Sequence, residues 1–137
     1  MKASTRAWLE RADEDILVLA KLDVSETPNH AAVTAAQVLE LYLKACWVEL
    51  GLRPPLTHDL ELLWQGILEH FQFDLEAASL SALTPHGTQG RYHALKASPE
   101  RAASFVKLSL SYCAQLRVWL EARTCVHPKP LSVSRVE

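Results

Sequence analysis

Residues 30–51, HAAVTAAQVLELYLKACWVELG, constrain the fold of this chain more than any other stretch. They hold no helix breaker before Gly51, and apolar side chains surround almost the whole circumference of the helix they predict. His30, Thr34, Gln37, Glu40 and Lys44 interrupt that surface at steps of four, three, three and four. At about 100° per residue these five fall within one stripe roughly 120° wide. A helix this apolar must be covered by other elements, so the stretch predicts a central bundle helix with one polar seam. The seam is either the solvent stripe of that helix or the lining of a cleft, within one subunit or between two. In the first case Glu40 and Lys44 form an i,i+4 ion pair worth roughly 0.2–0.5 kcal/mol. Val33, Leu41 and Val48 share the stripe, which suits an interface edge better than open water.

The 137 residues make one domain and suffice for a single core, and 49% hydrophobic with 22% charged residues is ordinary for a soluble globular protein. Fourteen basic and 16 acidic residues give a net charge of −2, so nucleic-acid contact would need a local patch. Cys46, Cys113 and Cys125 have neither metal-ligand spacing nor the pattern of a disulfide framework, and the first two sit in apolar helical stretches as small core residues. The N-terminal MKASTRAWLERADED becomes charged at once and lacks the apolar run of a signal peptide. Residues 30–51 are long enough to cross a bilayer, but Gln37, Glu40 and Lys44 near the middle make that costly. The expectation is a cytoplasmic protein with no membrane partner.

Apolar residues Trp8, Ala12, Ile16 and Leu19 recur at helical spacing in residues 4–23 and predict an amphipathic first helix. Thr27 and Pro28 suit the cap and first turn of the second, which Gly51 and the following prolines end. THDLELLWQGILEHF opens a third helix with Thr57 as candidate cap, and residues 74–83 suit a fourth. TPHGTQGRYHALKASPE reads as one long irregular segment. Ser98-Pro99-Glu100 starts a last helix running to about Arg123, with a core stripe of Ala102, Phe105 or Val106, Ser109, Cys113, Leu116 and Trp119 or Leu120. Residues 124–137 carry two prolines and little periodicity and read as a loose tail. Together these predict an all-α, up-and-down bundle of about five helices over residues 1–123.

Two constellations carry candidate chemistry. The first is His86 to His93: Arg91 has the forked geometry for phosphate, Tyr92 can stack on a base, and His86 or His93 titrates near neutrality. The same composition also suits a plain surface turn. The second is RPPLTHDL, where Arg53 and His58 have an R-x4-H spacing, although nothing in the sequence converges them on one site. Six scattered histidines without ligand spacing call for no metal, and no cofactor motif is present.

The order of these pieces resembles the HEPN domain family. The similar residues are AWLERADEDILVLAKL (7–22), PNHAAVTAAQVLELYLKACWVELG (28–51), THDL (57–60) and LT…GRYH (83–93). The second element follows H-x-A…Q-x-x-E-x-x-L-K-A through His30, Ala32, Gln37, Glu40, Leu43, Lys44 and Ala45. The resemblance covers roughly residues 4–123. It implies a helical bundle that forms homodimers, with polar residues of the second helix beside a cleft for nucleotide or RNA. It further implies that Gln37, Glu40 and Lys44 sit near the loop bearing Arg91, with Lys44 pairing phosphate while Glu40 holds its ammonium.

Members of the family also pair with minimal nucleotidyltransferases in toxin–antitoxin systems, and some are ribonucleases carrying R-x4–6-H near a late helix. Here His93 stands where proline usually follows Arg-Tyr, and no histidine follows Arg91 at that spacing; His86 precedes it. The Arg53–His58 match lies in the wrong part of the bundle and reads as coincidence. The resemblance therefore favours a nucleotide- or RNA-binding or regulatory module. One alternative is a metal-independent ribonuclease using Arg91 with His93 or His86, and another is a purely structural helical protein.

Overall fold

The structure, a computed structural model, describes residues 1–90 and 95–124. It contains α1 (Ala3–Lys21), α2 (Pro28–Glu49), α3 (Leu60–Gln65), a 3-10 turn (Leu68–His70), α4 (Ala77–Thr88) and α5 (Pro99–Thr124). No strand occurs among the described residues, and the all-α bundle of five helices expected from periodicity is the observed fold.

Helix α2 is the hub and packs on α1, α3, α4 and α5. Its nearly continuous apolar surface requires that arrangement. Ala31, Ala32, Ala35, Ala36 and Ala45 let neighbouring helices approach closely, while Val38, Leu39, Tyr42 and Leu43 fill the core. By length and composition α2 is apolar enough to cross a membrane, and most of that stretch is buried inside the bundle. Pro28 occupies its first position, as expected, but the Thr27 hydroxyl donates to the Asp23 carbonyl instead of capping the helix. Gly51, at φ 79°, ends it: the Gly51 N–H reaches the Val48 carbonyl and the Leu52 N–H the Trp47 carbonyl. A left-handed residue is what that pair of bonds demands.

The buried face of α1 comprises Thr5, Leu9, Ala12 and Leu19, so the stripe is rotated from the expected one, and Trp8 and Ile16 are only half-buried. Thr5 is tolerated inside because its hydroxyl donates to Glu49 at 2.8 Å, and the Lys2 backbone N–H donates to the same oxygen at 3.0 Å. On α5 the buried stripe resolves to Ala102, Phe105, Ser109, Cys113, Leu116 and Leu120. The Ser109 hydroxyl donates to the Ala35 carbonyl at 2.7 Å, and Ser98 caps the helix through the Arg101 N–H at 3.1 Å.

Both ends of α3 and both ends of α4 differ from expectation. Helix α3 begins after Asp59, which caps it through the Leu62 N–H at 3.2 Å, while Thr57 accepts from the Asp59 N–H. It also stops at Gly66, where the Trp47 indole lies against the backbone, and yields to the 3-10 turn. Helix α4 starts three residues later than expected and runs to Thr88, so His86, Gly87 and Thr88 are helical rather than part of an irregular segment. Pro85 removes one i→i−4 bond there, but Leu80, Leu83 and His86 keep a buried stripe and packing prevails. Residues 125–137, most of the expected tail and including Cys125, lie outside the described residues, as do Arg91, Tyr92 and His93.

Candidate functional site

The polar seam of α2 is the wall of a groove. Arg11 and Asp15 from α1, Gln37, Glu40 and Leu41 from α2, and His58 from the link before α3 enclose about 260 Å³. Glu40 organises it. Lys44 Nζ donates to Glu40 Oε2 at 3.0 Å, and His58 Nδ1 lies 3.0 Å from both carboxylate oxygens. A carboxylate only accepts, so Nδ1 carries the hydrogen, and in the neutral ring Nε2 keeps its lone pair. His58 is held there by local chemistry. Pro54 and Pro55 stiffen the link after Gly51, Thr57 and Asp59 form the capped start of α3, and the Leu60 N–H donates to Thr84 of α4 at 3.0 Å.

Floor and rim differ in character. The side chains of Asp15 and Glu40 are 18% and 16% exposed, whereas those of Arg11 and His58 are 69% and 64% exposed. The recessed part of the groove is therefore rich in acceptors, and its accessible cations stand at the edge. Arg11 Nε approaches Asp15 Oδ2 to 3.7 Å, an ion-pair distance beyond hydrogen-bond reach. Oδ2 of Asp15 is the one buried side-chain oxygen or nitrogen without a hydrogen-bond partner among the described residues.

Not every expected residue meets here. Gln37 and Glu40 line the groove, whereas Lys44 is buried behind Glu40 with its ammonium already engaged. His86, 4% exposed, packs against Phe105 of α5 with the rings tilted by 55° and their centroids 4.9 Å apart, and is not part of the groove lining. Gly90, the residue before Arg91, faces Val33, one turn from Gln37 on the same stripe of α2. Among the described residues no three His, Cys, Asp or Glu side chains cluster as a metal site would require. Cys46 and Cys113 are free and buried; burial pushes both thiols up, Cys113 to about 12, so neither is a poised nucleophile.

Sequence reasoning missed Arg11, Asp15 and His58. An Arg and Asp four apart on an amphipathic helix look like any solvated pair, and only the partner helix turns them into a wall. His58 stood in the THDL motif and in the R-x4-H spacing, but its partner, Glu40, is 18 residues away.

The helical bundle and the order of its helices match what the resemblance implies, and the HEPN domain profile matches residues 5–111. The chain belongs to the HEPN domain family. The matched span runs from α1 to the middle of α5 and includes every groove residue. No curated protein and no solved structure matches this HEPN chain. Family membership points to a nucleotide- or RNA-related or regulatory function.

Proposed function

We propose that this HEPN domain is a cytoplasmic nucleotide- or RNA-binding module that acts as a homodimer and takes its ligand in the α1–α2 groove. The observation that carries this reading is the seam itself. On the most buried helix of the molecule, the polar stripe is roofed by α1 and by His58, forming a concave polar site. Arg11 and His58 at the rim suit a phosphate, and Leu41 offers an apolar surface for a base. Lys44 donates to Glu40, and Glu40 in turn fixes the His58 ring. Arg91 and Tyr92 add a forked phosphate contact and a stacking ring, and the packing of Gly90 on Val33 supports their joining this site. The family resemblance supports a minimal nucleotidyltransferase partner in a toxin–antitoxin pair.

A second reading, a metal-independent ribonuclease, draws on one observation: the Glu40 carboxylate holds the Nδ1 side of the His58 imidazole, so that in the neutral ring Nε2 can accept a proton, the arrangement of a general base. In it His93 or His58 takes the proton of the ribose 2′-hydroxyl, which attacks its own phosphate while Arg91 offsets the charge building there; a cyclic phosphate forms as the 5′-oxygen leaves and takes a proton from that imidazolium or from water. The burial of His86 removes it from that role.

End-labelled single-stranded and hairpin RNA, incubated with protein in excess chelator, tests both readings. The binding module predicts a gel shift of intact RNA that is weakened at least several-fold in His58→Ala and Arg91→Ala. Cleavage by the wild type that disappears in Arg91→Ala and His93→Ala would establish the second reading. Neither shift nor cleavage, with mononucleotides also unbound, would contradict both.

A further inference from the structure

Around His58 the fixed charges cancel. Arg11 on α1 and Lys44 on α2 are positive, Asp15 on α1 and Glu40 on α2 are negative, and each stands beside its opposite one turn along its own helix. On the link itself, Asp59 is turned to the Leu62 N–H. While the imidazole is neutral, this set exerts no net pull on an anion; protonation of His58 gives it one net positive charge at an exposed edge.

The bonding at His58 leads to the same place. Nδ1 lies 3.0 Å from both oxygens of Glu40 and gives its hydrogen to that carboxylate. The side chain is nevertheless 64% exposed, so the open edge of the ring is the one that bears Nε2. In the neutral ring Nε2 holds a lone pair, and a phosphate oxygen is an acceptor too, so the two repel. Only the imidazolium donates from both nitrogens at once, to Glu40 on one side and to a phosphate on the other.

We infer that the groove takes up a proton when it takes up a phosphate: His58 binds the anion through Nε2 as an imidazolium held from behind by Glu40, so mildly acidic pH strengthens binding and alkaline pH weakens it. This rests on the groove being the ligand site. The arginine charges of Arg11 and Arg91 are constant over the range in which an imidazole titrates, so they add attraction without pH dependence. His93 does titrate there and serves as the control. A His58 acting as a general base has the opposite pH dependence, because it has to be neutral to accept a proton.

Calorimetric titration of the full chain with the monomethyl phosphate esters of AMP and UMP tests this. Each ester keeps a single negative charge between about pH 5 and 8, where the imidazole changes charge. The inference predicts binding at least about tenfold tighter near pH 5.5 than near pH 8, as for hydrogen bonds to charged groups. Near pH 7.5, titrations in buffers of unlike ionisation enthalpy should show uptake of about one proton per ligand. His58→Gln, which can still donate to Glu40 but does not titrate, is expected to lose both effects, whereas His93→Gln keeps them. Binding with equal affinity at both pH values, without proton uptake, overturns the inference and leaves the groove reading standing. So does a pH dependence that survives His58→Gln or disappears in His93→Gln. Absence of binding by both esters at either pH also overturns it, and the RNA gel shift then decides separately whether the groove binds RNA. Wild-type proton uptake is read without any substitution, so a poorly folded variant does not spare the inference.

Discussion

At Tyr42 three helices meet on one oxygen. The buried phenol of α2 donates to Asp13 of α1 at 2.9 Å and accepts from Arg117 of α5 at 3.0 Å, while Arg117 also reaches both oxygens of Asp13. Tyr42→Phe keeps the packing but removes that junction. It should lower the unfolding free energy by about 1 kcal/mol in urea titrations, since Asp13 and Arg117 remain partly solvated and can still pair. Burial, against the opposing effect of the Arg117 hydrogen bond, raises the phenol to about 12. The folded state therefore holds that proton longer than the unfolded chain, so this contribution is intact below pH 10 and declines as the pH rises toward 12. Spectrophotometric titration should show one tyrosine ionising late.

His86 has the opposite sign. Burial, and then the charge of Arg101, lower its pKa from 6.5. The unfolded chain binds this proton more readily, so the stability that neutral His86 contributes is full above pH 6.5 and is lost as the pH falls through the lowered value. His86→Leu should flatten that part of the pH–stability curve. An unchanged slope would show that another group is responsible.

Between elements, small residues set the fit. A methyl group on Gly66 would run into the indole of Trp47, whose Nε1 donates to the Leu63 carbonyl at 2.9 Å. Gly66→Ala should destabilise the protein by about 1–3 kcal/mol through that overpacking and should shift the fluorescence of Trp47. The same scale shows where sequence was legible. The second and fifth helices could be placed because their punctuation agreed with their periodicity: Pro28 and Gly51 for one, Ser98-Pro99-Glu100 for the other. Helix α4 could not. Pro85 and Gly87 signalled an end, whereas the core-facing run of Leu80, Leu83 and His86 carried the helix on. Tertiary packing overrode local propensity there, and it turned His86 from a candidate surface base into a core residue.

Across the whole molecule, one helix decides both fold and site. An α2 that is apolar nearly all round requires neighbours on every side, and its one polar stripe then has to face something that tolerates charge. The stripe was visible in the sequence, but what faced it was not, because Asp15 lies 22 residues before Gln37 and His58 18 residues after Glu40. The most direct test of this account is to titrate isotope-labelled protein with AMP, or with a short single-stranded RNA, and follow backbone and imidazole NMR shifts. The account predicts that the largest changes cluster at Arg11–Asp15, Gln37–Leu41 and His58. Changes centred instead on the apolar cavity between Phe73 and Trp119, or none at millimolar ligand, would contradict it.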